Sequence, residues 1–418
     1  MPILNLTEAP IRHENNNIDY DLGPPTIPSL SSNVDCSDIV DDESDAADDV
    51  MDAAEQEISY CSGPVQYYPL RIGEVLNQRY RIDHKIDYGG FSTVWLAHDL
   101  KHQIDVAIKV MASSTTYTSD GHEFHIQTAI RRAVKDTSHL VLFQDIFLLR
   151  GKNSNHYVLV YPFLGPGLCF SEIEAMPLAT RMFAARQLLQ GLESLHKAGF
   201  VHRDVNIKNV LRDSVLPKDL SIACKYDILG RPVRYPISMV WRPGELVMPL
   251  KLPEELKSKR FYLADFGISM KVGDSVIPDG SPPYEYCSPE RLHDSSPTFS
   301  CDMWSYMCVF SQLYLGGPCL FYRLDDVVKC MGPLPENLRG QYILNKAKDN
   351  WYDQSGRRDT TYIENKIARL RPGISSAEKA LALSVFTRGF SVIPEQRLTA
   401  SQLLQDPSFN ALLDSNCS

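Results

Sequence analysis

No two of the ten cysteines stand in a CxxC spacing, and their intervals are irregular. A paired-ligand zinc site is therefore not expected, and no disulfide framework is offered. The thiols read as the reduced cysteines of an intracellular chain. No secretory signal follows Met1, and no clear basic cluster separates nucleus from cytoplasm, so both compartments stay open. Long apolar runs are also missing. The nearest, "MWSYMCVFSQLYLGG" from Met303, is short and carries Ser305, Ser311 and Gln312. It reads as a buried core helix, and no membrane contact is expected. No internal repeat is found. Basic residues are scarce at the front. Residues 1–62 hold fifteen acidic residues and one basic residue, Arg12, a net charge of −14 within a chain of −10. The rest is then a mildly basic body of +4, with no basic patch that calls for direct nucleic-acid binding.

What is present divides the chain. Residues 1–65 read as a disordered acidic tail, because "DDESDAADDVMDAAEQE" repels itself and cannot build a core. The tail is either solvated or a regulatory segment that competes with a basic substrate. From Tyr67 the pattern changes. "QRYRIDHKI", "FSTVWLAHDL", "IDVAIKVM" and "HYVLVYPF" read as strands, with a helix at about 123–134. After Pro177, "TRMFAARQLLQGLESLHKAGF" sets Met182, Ala185, Leu188, Leu189, Leu192 and Leu195 on one helical face, with Gly199 at its end. Helical patterns recur at 302–315, 377–388 and 400–404. The Pro- and Gly-rich residues between Val210 and Ala264 read as an ordered surface insertion.

Four motifs suit phosphoryl transfer, which needs a phosphate cradle, a cation, metal ligands and a carboxylate beside the attacking hydroxyl. "IDYGGFSTV" (86–94) puts Gly89 and Gly90 between two strands, where backbone N–H groups can approach an anion, although such a pair more often marks a plain hairpin. "VAIK" (106–109) places Lys109 on an apolar strand, where a lysine needs a partner. Glu123 is the candidate, with Asp120 second. "HRDVNIKN" (202–209) supplies Asp204 as the carboxylate and Asn209 as an oxygen ligand for magnesium. "YLADFGIS" (262–269) supplies Asp265, a hard-cation ligand at the end of an apolar run. Glu290, Asp302 and Arg397 sit in apolar settings where burial requires a partner.

In this order, over about residues 78–412, the motifs resemble the eukaryotic protein kinase family. "IGEVLNQRYRIDHKI", "FSTVWLAHD" and "DMWSYMCVF" are most similar to SR-protein kinases, and the insertion resembles a fungal branch of them. The resemblance implies an α+β, bilobal protein kinase fold. Residues 66–412 would form the domain, with a small β-rich N-lobe (about 66–164), a larger α-helical C-lobe (about 165–412) and an insertion (about 214–258). Residues 413–418 would be a C-terminal tail. It also implies ATP and Mg²⁺, a Ser/Thr protein substrate that is basic or Arg/Ser-rich, and a monomer. Lys109, paired with Glu123, would hold the α- and β-phosphates. Asp204 would act as base, with Arg203 beside it in the motif. Asn209 and Asp265 would bind Mg²⁺. Ile86, Asp87, Tyr88, Gly89, Gly90, Phe91, Ser92, Thr93 and Val94 would cover the nucleotide, and Ala107 would lie against it. "VYPFL" (160–164) resembles the hinge that reads adenine through backbone groups, with Pro162 and Leu164 in contact; proline keeps the C=O needed there. Glu290 and Arg397 would form the ion pair under the activation segment.

Four residues depart from the family pattern: Asp87 and Ser92 replace glycines, Asn206 replaces the loop lysine, and Pro283 replaces a threonine. Asp87 should weaken phosphate binding unless its carboxylate turns to solvent. In the family the lysine and threonine bond each other, so losing both removes an unpaired polar group worth about 1–3 kcal/mol. That reads as a rewired acceptor site, with Lys208 a candidate for the missing cation. Two readings stand beside an active kinase: a pseudokinase scaffold, and a small-molecule phosphotransferase on a related fold.

Overall fold

A computed structural model describes residues 65–114, 121–152, 155–217, 220–237, 241–275, 278, 280–293, 295–338 and 358–415. The acidic tail, Asp120 and residues 416–418 lie outside them.

β-branched and aromatic runs pair into one antiparallel sheet. Its strands are β1 (Val75–Leu76), β2 (Tyr80–Gly89), β3 (Ser92–Asp99), β4 (Ile104–Met111), β5 (Asp145–Arg150) and β6 (Asn155–Pro162). The spatial order is β1-β2-β3-β4-β6-β5. Helix α1 (His122–Ala133) joins β4 to β5 and buries Glu123, Ile126, Gln127 and Ile130, a spacing of three and four residues along one face. The β2–β3 hairpin closes at the exposed pair Gly89–Gly90. A Cβ on either glycine would meet no other atom, so the chain's own packing does not demand glycine there.

The second lobe is helical. Helix α2 (Leu178–Lys197) buries all six apolar residues that the sequence set on one face, and Gly199 follows its end at φ 85°. Gly199 suits that left-handed conformation because it has no Cβ. The "DMWSYMCVF" stretch lies in a helix, Phe299–Leu315, that is buried from Cys301 to Leu315. Phe310 of that helix meets the rings of Phe386 and Phe409 at 5.6 and 5.2 Å. As the sequence indicated, this is a core helix. Among the described residues no helix is long and apolar enough to cross a membrane.

The insertion differs from the surface feature expected. It carries a helix, α3 (Ile222–Leu229), and a hairpin of Arg234–Ile237 with Gly244–Val247. It also buries Lys225, Leu229, Leu246, Val247, Leu250 and Leu252. Proline and glycine content marked it as irregular, but Leu229, Leu250, Leu252 and Val247 complete cores that belong to the β-lobe.

Candidate active site

Three elements converge on Lys109. Strand β4 sets it between Val94 of β3 and Leu159 of β6. Its Nζ donates to Glu123 Oε2 and Oε1 at 2.9 and 3.1 Å, and to Asp265 Oδ1 at 2.9 Å. Burial works against this ammonium, but the Asp265 and Glu123 charges outweigh it and raise the lysine above its ordinary value. Of the two carboxylates the sequence offered, Glu123 is the one seen on Lys109. Burial pushes Glu123 up, opposed by Lys109. Two residues that sequence reasoning missed hold it in place. Tyr161 Oη donates to Glu123 Oε1 at 2.9 Å, and Gln127 Nε2 donates to the same oxygen at 3.0 Å. The signal for Gln127 was its place one turn after Glu123 on a buried helical face.

Asp265 stands two residues past the strand Lys257–Leu263, with φ 64°, an uncommon backbone for a non-glycine residue. Its Oδ1 also accepts the Gly267 N–H at 3.1 Å. Burial opposes its charge, but Lys109 and that N–H hold the carboxyl below its usual range. The side chain remains 41% exposed, so an ion can reach it.

Asp204 sits between two amides. Asn206 Nδ2 donates to its Oδ1 at 2.8 Å and Asn209 Nδ2 to its Oδ2 at 2.7 Å. Burial, and then the Asp265 charge, raise the carboxyl to about 6, with the two amides pulling the other way. Asn209 turns its N–H groups toward Asp204, which leaves its amide oxygen as the ligand atom. A carboxylate and an amide oxygen fit Mg²⁺, a hard cation that keeps waters and phosphate oxygens in its remaining positions.

The loop is fixed from beneath by Asp302, a residue the sequence marked as needing partners. Its Oδ2 accepts the His202 N–H at 2.7 Å and its Oδ1 the Arg203 N–H at 2.8 Å, and His196 Nε2 lies 3.0 Å from Oδ2. Arg203, at φ 72°, donates its guanidinium to the carbonyls of Ile268, Pro278 and Gly280. It therefore orders the segment after Asp265. Glu290 and Arg397 form a buried two-pronged pair at 2.7 and 3.0 Å.

The covering loop is mixed. Ile86, Ala107 and Leu164 share one buried cluster, and Pro162 pairs with Val106 across the sheet. Phe91 is exposed at the hairpin tip. Ser92 is buried, and Val94 is half-buried against the Ile86 cluster. Thr93 accepts the Trp95 indole N–H at 2.9 Å and so faces the sheet core. Asp87 does not turn fully to solvent. It is half-buried, accepts the Tyr88 N–H at 2.8 Å, and is pushed up by burial against the charges of Lys208 and Lys85. Pro283 opens the short turn Tyr284–Tyr286, and no hydrogen bond joins it to Asn206 among the described residues.

The protein kinase domain family matches residues 80–409. A serine/threonine-protein kinase SRPK of Physarum polycephalum is 26% identical over 381 residues, 82% of this chain and 88% of that protein. SRSF protein kinase 3 of Homo sapiens is 29% identical over 221 residues, 49% of this chain and 38% of that protein. A crystal structure of a kinase domain, at 18% identity, has a TM-score of 0.57 and covers 82% of this chain and 98% of its own, which is evidence of fold alone. With the family matched over most of its length, the chain belongs to the protein kinases, and its named relatives are serine/threonine kinases of the SR-protein kinase type.

Proposed function

We propose that the chain is an active kinase that transfers the γ-phosphate of ATP to a protein serine or threonine, with Lys109, Glu123, Asp204, Asn209 and Asp265 as its working groups. The observation that carries this is the Lys109 ammonium, held at 2.9 Å by both Glu123 and Asp265. Lys109 meets the α- and β-phosphates, and Glu123 fixes its position. Asp204, held by two amides, accepts the acceptor hydroxyl's proton or aligns that hydroxyl. Asp265 and Asn209 hold Mg²⁺, which neutralises phosphate charge when bound. The backbone of 86–94 covers the nucleotide, and Pro162 and Leu164 read its base.

Basic, Arg/Ser-rich substrates are the finer part of the proposal and rest on the relatives' names and the resemblance. A monomer in the cytoplasm or nucleus goes with it. The half-buried Asp87 is the feature that favours a scaffold without turnover; against it stand the engaged groups Lys109, Glu123, Asp204 and Asp265. The test is incorporation of labelled phosphate into a peptide panel. Wild type should transfer, with Asp204→Asn reduced about a hundredfold or more. No transfer by wild type, or equal transfer by the variant, overturns the reading.

A further inference from the structure

The insertion plays no part in the roles above, yet it is tied into both lobes. At its base, Val215 N donates to Leu256 O at 2.8 Å, and Lys257 pairs with Glu172 of the helical lobe. At its far end, Lys225 of α3 is 1% exposed and donates to Asp83 Oδ2 at 3.1 Å and to Asp105 Oδ1, both in the β-lobe. Tyr226 Oη donates to the Asp83 carbonyl at 3.1 Å. Lys225 lies between two carboxylates, and removing it would leave them facing each other out of water, so the contact holds α3 on the β-lobe.

Residues 249–252 then cross from roof to hinge. Leu250 N donates to Lys85 O at 2.8 Å, and Pro249 bridges Lys85 in a parallel sense. Two residues later the Leu252 side chain lies against Gly165, where an added Cβ would come within 3.1 Å of its Cδ2. Lys85 precedes Ile86 of the roof, and Gly165 follows Leu164 of the hinge. Leu229, Leu250 and Leu252 are buried in one cluster with Ile86, Ala107 and Leu164.

Placement of a base follows from its own chemistry. An adenine that gives its amino group to the Pro162 C=O and takes the Leu164 N–H at N1 carries C2 as the next ring atom along the hinge. C2 then points at Leu164 and Gly165, where Leu252 stands. We propose that residues 249–252, through Leu250 and Leu252, form a fixed wall at the C2 edge of the bound base and decide which purines the cleft admits. The wall rests on the nucleotide site proposed above. It admits ATP, whose C2 carries only hydrogen and whose ribose leaves from N9 of the other ring. It rejects purines substituted at C2.

The probes are ADP and 2-methylthio-ADP, titrated by calorimetry into the full chain with Mg²⁺. Wild type should bind the substituted nucleotide at least about tenfold more weakly, the scale on which an apolar pocket rejects added bulk. Leu250→Ala/Leu252→Ala should bring the two within about threefold of each other by removing that bulk. Should the double variant not fold, Leu252→Ala and Leu252→Phe carry the test, the first narrowing the ratio and the second widening it. Equal binding of both nucleotides by wild type overturns the wall and leaves the kinase reading intact. A ratio that does not respond to Leu252 also overturns it. Absence of ADP binding overturns the nucleotide site itself.

Discussion

At residue scale, Asn206 shows what replaces a lysine beside Asp204, the carboxylate proposed for catalysis. Its amide N–H reaches Asp204 while its oxygen accepts the Lys208 N–H at 2.9 Å, capping the turn Ile207–Asn209. A lysine ammonium has no acceptor and cannot do the second. Asn206→Ala leaves the half-buried Asp204 short of a donor, a loss of about 1–3 kcal/mol. We expect kcat to fall by about tenfold or more, with KM for ATP within about twofold, because Asp204 faces the acceptor and not the base. A change confined to KM for ATP would refute this. Lys85 is a second case. It is wholly buried, with the rings of Tyr88 and Trp95 at 4.9 and 5.5 Å, and burial holds its pKa down at about 7 against the Asp87 charge. Folding then favours the neutral amine. The penalty of a buried charge is present in full below about pH 7 and fades as pH rises toward the ordinary lysine value of about 10.4. Lys85→Met should therefore gain a few degrees in Tm relative to wild type at about pH 6, and the gain should shrink by about pH 9. A difference that stays constant with pH in thermal melts would contradict the account.

At the scale of elements, the segment from Pro289 to Leu292 is tied to distant chain by the pair Glu290 with Arg397, 107 residues apart. Both are almost fully buried, so Glu290→Ala strands a guanidinium and should cost about 3–5 kcal/mol in chemical denaturation. A loss under about 1 kcal/mol would mean the pair is not what anchors the segment. The sequence marked both residues as needing partners; burial says nothing of which partner, and only the family resemblance paired them. The same limit explains what was legible elsewhere. Helix α2 shows its inward face because helical periodicity is local. Strand β5 went unread because its residues are half-buried and give no clean alternation. The hairpin strands "RYPI" and "GELV" are four residues each and one holds a proline, so neither reads as a strand until its neighbours are known.

For the whole molecule, charge is divided between a tail of −14 and a body of +4. Deleting residues 1–62 should lower KM for basic peptides, most clearly at low salt, where screening is weakest. An unchanged KM at low salt would remove any competition by the tail. The proposed working groups Lys109, Asp204, Asn209 and Asp265 could be picked out because each sits in a short motif whose chemistry is complete within a few letters. Contact between residues 85 and 250 could not, because it depends on a fold that brings distant chain together. That contact also bears on how the molecule is made. Val247 lies in the same buried core as Leu70, Tyr80 and Trp95, and Glu245 N donates to Leu70 O at 2.8 Å. During synthesis, residues 65–162 leave the ribosome on the order of ten seconds before 244–252 can follow. Over that interval the first lobe exists without its own cover, so the part of the chain made first is completed only after the second lobe has begun to emerge.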